Sequence, residues 1–296
     1  MSRSLSTLNL TPEEISSVLR LFPKGLVAVD LETTGLSPLV DKIIEIAAVK
    51  ISVDGVISTF HQLINPLIEV PESTIQYHGL TNEDLADAPT IKKPLKEFWI
   101  FTERLPVVAH NSTFDLGYLI KASHDFQLEF PPLDVFDSCR FARSVYKPTT
   151  NPPKNFKLST LSDFVGFKLN HHVAMEDTMA CLKIMAHASN YENAKVALER
   201  SFVFRLSNFN KNECFNFSSR LNGLKDLVQQ KELLALEYRG NNNSGSRPVR
   251  PIGLMPLPQG PVLFAECLMS GMNKSYLLKK IKSYSKLEAS LWRAKI

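Results

Sequence analysis

Three apolar, β-branched runs follow one another with little chain between them, at residues 26–31, 43–53 and 56–64. Asp54-Gly55, between the second and third, is a tight-turn signal, so these two runs read as a hairpin. The pattern then changes. Helix starts recur at Thr81 and Thr90, a short buried strand is expected at 107–110, and a helix follows from about Ser112. A second short strand fits 135–136, and helical spacing covers 158–165 and 174–187. Three strands followed by alternating helices and strands predict an α/β fold with a mixed sheet flanked by helices. Ahead of them, Thr11-Pro12-Glu13-Glu14 is a helix start: Thr11 caps, Pro12 suits the first helical position and Glu14 closes a capping box.

Beyond residue 188 the pattern weakens to helical or irregular until a helix expected at 218–231. Short strand-like runs follow at 234–239, 249–254, 262–268 and 275–278, the first two separated by a Gly/Asn loop, and predict a smaller β-rich C-terminal domain. The last 18 residues read as basic and helical. The expected division is an N-terminal helix at 1–21, an α/β domain at 22–190, a helical connector at 191–223 and a basic β-rich domain at 224–296. A length of 296 residues accommodates two domains. With 44% hydrophobic and 22% charged residues, global disorder is excluded. No apolar run approaches the ~20 residues of a membrane span, and the first residues lack the apolar core of a secretory signal. Cys139, Cys181, Cys214 and Cys267 are far apart, so neither a disulfide framework nor a zinc site is expected and a cytoplasmic location fits.

The formal charge of +4 is unevenly placed. Residues 1–190 hold 17 basic and 22 acidic side chains, and residues 191–296 hold 17 basic and 8 acidic. Such asymmetry suggests an acidic partner, nucleic acid foremost, for the basic part.

Three short segments carry acids where chemistry could use them. Asp30-Leu31-Glu32-Thr33-Thr34-Gly35 closes the first strand, and side chains at i and i+2 share a face, so Asp30 and Glu32 converge. Hard oxygen ligands brought together in this way suit Mg²⁺ or Mn²⁺; a lone D-x-E is otherwise a pair of solvated acids at a polar turn. Asp115, after His110-Asn111, falls in the first turn of a helix, where it faces the strand ends or simply complements the helix dipole. Asp177 lies off the apolar stripe Met175, Thr178, Met179, Leu182, Met185, which reads as core. His172 precedes that helix in a loop, where a lone histidine is commonly solvated.

Taken together, the segments resemble the three motifs of the DnaQ-like 3′→5′ exonucleases, the DEDDh branch of the RNase H-like superfamily. Asp30 to Gly35 matches D-x-E-T-T-G, His110, Asn111 and Asp115 match the second motif, and His172 with Asp177 matches H-x4-D. Gln76 to Thr81 is similar to the family's H-G-I-T segment. The resemblance covers roughly residues 22–190. It implies an RNase H-like fold and a metal-dependent 3′→5′ exonuclease that releases nucleoside monophosphates by a two-metal mechanism, with DNA favoured over RNA. By the same resemblance Asp30, Glu32 and Asp177 hold one Mg²⁺ or Mn²⁺, and Asp30 and Asp115 a second. His172 is the general base, and Thr33, Gly35, Leu36, His78 and Phe114 contact the terminal nucleotides. His110 and Asn111 brace the second motif. The implied partners are nucleic acid with single-stranded 3′ ends and a polymerase or repair assembly, without a membrane.

The stretch from Leu224 to Lys282 resembles the WYL domain through Tyr238-Arg239, Arg250-Pro251, the strand ending in Cys267 and residues 278–281. It departs from it at Pro261-Val262-Leu263, where the name-giving tripeptide would stand, and at Lys280 in place of arginine. This resemblance implies nucleic-acid or nucleotide contacts by Arg239, Arg250 and Lys280; the alternative is an accessory domain with a solvated basic face. A chain whose nuclease part is idle would act instead as a nucleic-acid-binding or nucleotide-sensing regulator. If the two parts act separately, deleting residues 191–296 should weaken binding yet spare cleavage of short substrates.

Overall fold

A computed structural model describes residues 9–169, 173–210, 218–239 and 246–287. The chain forms two compact units, and they are not simply its two ends. The first contains Met1–Thr34 and Ile43–Ser207; the second contains Gly35–Lys42 and Asn208–Ile296.

The first unit opens with α1 (Pro12–Leu21), whose reciprocal Thr11–Glu14 capping box is present with Pro12 at its start. Its sheet begins with β1 (Gly25–Thr33), β2 (Ile43–Ser52) and β3 (Ile57–Leu63); β2 and β3 form the expected antiparallel hairpin, and β1 pairs antiparallel with β2. Then come α2 (Glu72–His78), α3 (Asn82–Leu85), capped by Thr81, and α4 (Lys92–Phe101). The Thr90 start is displaced: α4 begins after Ile91, which makes no side-chain cap. Strand β4 (Val107–Ala109) runs parallel to β1, and after α5 (Thr113–Asp125) strand β5 (Asp134–Asp137) runs parallel to β4. Helices α6 (Ser138–Tyr146), α7 (Leu158–Phe164), α8 (Ala174–Ala188) and α9 (Ala194–Ser201) follow, and β6 (Phe202–Arg205) closes the sheet against β5. The order β3-β2-β1-β4-β5-β6 is the mixed, RNase H-like sheet that the sequence predicts.

Two differences from the expected division concern its edges. Val18 and Phe22 of the α1 region are buried in the same core as α8, so that helix is integral to the first unit. The stretch expected as connector supplies α9, packed on α6, and β6. Short length hid β6: four residues FVFR offer only two apolar alternations, and their strand state comes from pairing with Asp134–Phe136. A cut at residue 190 therefore removes a sheet strand, and that deletion cannot separate a holder from a cutter.

One core fills the space between the sheet and α8. Leu26, Ala28, Ala47, Val49 and Val108 on the strands meet Met175, Met179, Leu182 and Met185 on the helix. The apolar stripe read from the sequence is core.

The second unit contains α10 (Leu224–Gln229) and a five-stranded antiparallel sheet. Its strands are β7 (Leu234–Tyr238), β8 (Ser246–Met255), β9 (Val262–Cys267), β10 (Met272–Leu277) and β11 (Ile281–Lys286), in the order β10-β9-β8-β7-β11. The helix expected at 218–231 is broken at Gly223, whose φ of 81° no α-helix accepts; a single 3₁₀ turn precedes it. In the tail read as helical, Lys279 and Lys280 end a 3₁₀ turn and Ile281–Lys286 form strand β11, because Ile281 and Tyr284 face the core as the strand pairs with β7. Residues 288–296 lie outside the described residues.

Candidate active site

Four acids arrive from three elements. Asp30 and Glu32 are two residues apart on β1 and share its face. Asp177 lies in the first turn of α8, whose placement is fixed from below. Thr178 is wholly buried, and its hydroxyl donates to the carbonyl of Ala174 (2.8 Å) and reaches that of Ala47 on β2 (3.3 Å). Ala47 is the register partner of Asp30, and its small side chain leaves room beside the carboxylate. Oxygen atoms of Asp30, Glu32 and Asp177 come within 4.8 Å of one another. Asp115, in the first turn of α5, is 3% exposed and accepts a hydrogen bond from the Leu31 N–H (3.2 Å), which ties it to β1 between the other two acids.

This arrangement is costly without a cation. Burial and repulsion from Asp115, Asp177, Glu32 and Glu45 hold Asp30 well above the usual carboxylate range. Burial, then Glu45, Asp177 and Asp115, push Glu32 up to about 8. Asp115 is pushed up to about 8 by burial, despite its hydrogen bonds from backbone N–H groups. Asp177 is pushed up to about 7 by burial and by Glu176 and Glu45. Asp177 Oδ1 is buried without a hydrogen-bond partner among the described residues. An orphaned, buried carboxylate oxygen on an acid grouped with two other carboxylates is what an oxygen-coordinated divalent cation would satisfy. The donor set fits such an ion, and Asp30, Glu32 and Asp177 could hold it.

The sequence reading missed Glu45. It stands opposite Glu32 in the β1–β2 ladder, is 8% exposed, and receives His61 Nε2 at 2.6 Å. That contact raises the His61 pKa. The signal was present: β2 is buried along nearly its whole length, and an acid in such a strand needs a partner. Asp137 was missed as well. It caps α6 through the Arg140 N–H (2.9 Å) and accepts the Ser112 N–H (3.1 Å), which joins the start of α5 to the end of β5.

His110 is buried, with Nδ1 2.9 Å from Ser138 Oγ and Nε2 3.0 Å from the Phe156 carbonyl. Burial lowers its pKa, so it sits as a neutral bridge between segments. Asn111 adopts a φ of 64°, a left-handed conformation that asparagine tolerates better than most residues.

Thr33 ends β1 and is buried. His78 ends α2, is buried, and accepts the Leu80 N–H at Nδ1 (3.1 Å). Phe114 stands partly exposed on α5, edge-on to Tyr118. Gly35 and Leu36 belong to the second unit. His172 lies outside the described residues. Of the three basic residues singled out in the second unit, exposed Arg239 and Lys280 are brought together by the bond from Arg239 N–H to the Lys280 carbonyl (2.9 Å). Arg250 is instead ion-paired with Glu266, its register partner on β9, at 2.5 Å.

Comparison with known proteins places these features. A family model described as an exonuclease matches residues 27–185. A PolC-type DNA polymerase III of Caldanaerobacter subterraneus subsp. tengcongensis is 36% identical over 159 residues, which are 53% of this chain and 11% of that protein. The PolC-type enzyme of Halalkalibacterium halodurans is 30% identical over 230 residues, 74% of this chain and 15% of that protein. The chain thus spans a small part of the length of both relatives. Among solved structures, the nuclease domain of 3′hExo, a DEDDh family member bound to rAMP, superposes with a TM-score of 0.50 at 19% identity. That match covers 62% of this chain and 97% of that domain. At this identity the likeness concerns the fold. No helix among the described residues is long and apolar enough to cross a membrane.

Proposed function

The chain belongs to the exonuclease family, and we propose that it is a DEDDh-type 3′→5′ exonuclease that hydrolyses phosphodiester bonds to nucleoside monophosphates with two Mg²⁺ or Mn²⁺ ions. The observation that carries this reading is the convergence of Asp30, Glu32 and Asp177 within 4.8 Å, with a buried Asp177 oxygen left unsatisfied. When bound, the divalent ions supply charge neutralisation at phosphorus, an activated water and stabilisation of the leaving oxygen. Asp30, Glu32 and Asp177 would hold one ion, Asp30 and Asp115 the other. Asp115 is held for that role by the Leu31 N–H, and Asp177 by the buried Thr178 beside it. His172 accepts the proton of the attacking water, a task for an imidazole that titrates near neutrality. Thr33, Gly35, Leu36, His78 and Phe114 are the candidate contacts to the terminal nucleotides.

The PolC-type relatives are DNA polymerases, which supports DNA as the favoured substrate and a polymerase assembly as partner; a repair assembly and a cytoplasmic location are proposed alongside. The second unit is proposed as a WYL-like nucleic-acid holder that acts through Arg239 and Lys280. The test is degradation of a 3′-labelled oligonucleotide by wild type, Asp30→Ala and Asp177→Ala, with circular dichroism as the folding control. Single- and double-stranded DNA and RNA are each assayed with Mg²⁺ or Mn²⁺. Folded variants without activity are expected. Full activity in either variant, or shortening that begins at the 5′ end and releases the 3′ label last, overturns the assignment.

A further inference from the structure

Two segments that enter the sheet of the first unit from the same end leave an apolar hollow between them. Residues 99–104 lead from α4 toward β4, and residues 129–132 lead into β5. They line a pocket of about 360 Å³ with apolar walls of Trp99, Ile100, Phe130, Pro131 and Pro132. The hollow is preformed. Trp99 Nε1–H donates to the Oγ of buried Ser123 on α5 (2.8 Å), so what the tryptophan offers is ring surface. Thr102 is wholly buried; its hydroxyl donates to the Trp99 carbonyl (2.7 Å), and its own carbonyl accepts the Leu105 N–H (2.8 Å). Ile100, by contrast, is 75% exposed.

The charges around this pocket are unevenly matched. Glu103 and Arg104 both hold left-handed φ values, 49° and 61°, which non-glycine residues rarely adopt. Glu103 has a partner in the fold, Lys50 Nζ at 2.8 Å. Arg104 is exposed and ion-paired with nothing among the described residues. Lys92, Lys96 and Ile100 fall at i, i+4 and i+8 of α4 and so lie in one row. Lys93, beside the row, pairs with Glu97 (3.8 Å), and Lys92 stands over the Phe126 ring. Three cations, Lys92, Lys96 and Arg104, thus lack a carboxylate partner among the described residues, against one such acid at the pocket, Glu129. This excess stands in a stretch, residues 1–190, that is acidic overall.

Strand direction sets the pocket apart from the acids. β1, β4 and β5 run parallel, with Val27 opposite Val107. The pocket segments precede β4 and β5, whereas Asp30 and Glu32 lie three and five residues beyond Val27, about 10 and 17 Å along the strand. An occupant of the pocket therefore leaves the carboxylates open.

We propose that this face of the first unit docks an acidic segment of another protein, with a bulky apolar side chain seated in the Trp99 pocket and carboxylates on both sides of it facing Lys96 and Arg104. The row from Lys92 to Ile100 covers about 12 Å of helix before the pocket is reached, a length that suits a peptide better than a small molecule. A phosphate backbone would meet Glu97 and Glu129 among the cations and would leave the apolar walls unused, so a protein segment fits better than nucleic acid. The inference does not depend on the exonuclease reading.

The test uses the full chain and labelled octapeptides of the form EEDXLDEE, with Leu, Met, Phe or Trp at X, titrated by fluorescence anisotropy. Controls are EEDGGDEE, the basic peptide KKRFLRKK and a single-stranded DNA octamer. At least one apolar-centred acidic peptide should bind at or below about 1 mM, and both control peptides more weakly. Ile100→Asp and Arg104→Glu each change an exposed side chain and should keep the fold by circular dichroism. Each should weaken that peptide on the order of tenfold, while degradation of a 3′-labelled oligonucleotide matches wild type. No binding by any apolar-centred peptide overturns the proposal, as does equal binding of EEDGGDEE or unchanged affinity in both folded variants. A DNA octamer that displaces the peptide and is weakened by the same two substitutions would make the face a nucleic-acid surface and overturn it too. A wild type that binds the peptide but degrades no substrate would overturn the exonuclease reading alone.

Discussion

Asp177→Asn should make the metal-free protein more stable and its metal-loaded form less so. Without a cation, Asp177 is held at about 7 against an ordinary 3.8, chiefly by burial. Between those values the folded chain keeps a proton that the unfolded chain has lost, so stability falls as pH rises through this window. Above it the whole cost is present, about 4 kcal/mol at roughly 1.4 kcal/mol for each tenfold in ionisation. Asp30 and Glu32 bear part of the same repulsion, so replacing one acid recovers less, on the order of 2 kcal/mol. A unit of this size gains about 2–4 °C in Tm per kcal/mol, so the variant should melt about 4–8 °C higher than wild type near pH 8.5.

Metal reverses the order. Mn²⁺ at about a hundred times its Kd stabilises wild type by roughly 2.7 kcal/mol, and Asn, which offers no charge, should forfeit most of that gain. Differential scanning calorimetry near pH 8.5, with EDTA and then with Mn²⁺, reads both effects. Near pH 5.5 the gap between the two proteins should shrink to about half, and it closes only near the ordinary 3.8, where the unfolded chain is protonated too. A metal-free variant that melts below wild type near pH 8.5, or that keeps the full Mn²⁺ shift, refutes the reasoning.

Glu45→Gln removes a charge that repels Asp30, Glu32 and Asp177 and breaks the contact with His61. The acid limb of the activity profile should move to lower pH, while half-saturation by Mn²⁺ rises on the order of tenfold in a metal titration followed by activity. His110→Ala takes a partner from the Ser138 hydroxyl and leaves the Phe156 carbonyl with Cys139 Sγ (3.3 Å); a loss of about 1–3 kcal/mol in urea unfolding is expected, with the Mn²⁺ affinity of the remaining folded protein unchanged. Arg250→Ala should leave the salt slope of oligonucleotide binding unaltered because Glu266 already neutralises it, whereas the double change Arg239→Ala, Lys280→Ala should flatten that slope by up to about two phosphate contacts.

What the sequence made legible was whatever local chemistry decides. The Thr11–Glu14 box, the Asp54-Gly55 turn and the apolar runs of β1, β2 and β3 state their conformation in a few neighbouring residues. The convergence of Asp30 and Glu32 is equally local, since it follows from strand period alone. Elements set by distant partners were hidden. Strand β6 exists because β5 offers an edge, and β11 because β7 does, although its lysines and serines resemble a solvated tail. Glu45 looked like an interruption in an apolar run until the ladder put it opposite Glu32. Nothing between Gly35 and Lys42 announces that its partner is Leu254, more than two hundred residues on.

Packing within the first unit bears on why the acids can be tolerated at all. Repulsion among them would be relieved by any loosening of β1 against α8, and a loose site would bind a cation poorly. One feature of the first unit opposes the loosening. Thr178, buried and hydrogen-bonded toward β2, holds the helix that carries Asp177. Rigid packing in this arrangement keeps like charges where only a cation can reconcile them, and the metal-free fold bears the cost. It follows that Thr178→Val, which keeps shape but loses both hydroxyl contacts, should raise metal-free stability at high pH by less than Asp177→Asn and weaken Mn²⁺ binding without abolishing it. Calorimetry with and without Mn²⁺ decides: metal affinity equal to wild type would show that the helix needs no such anchor.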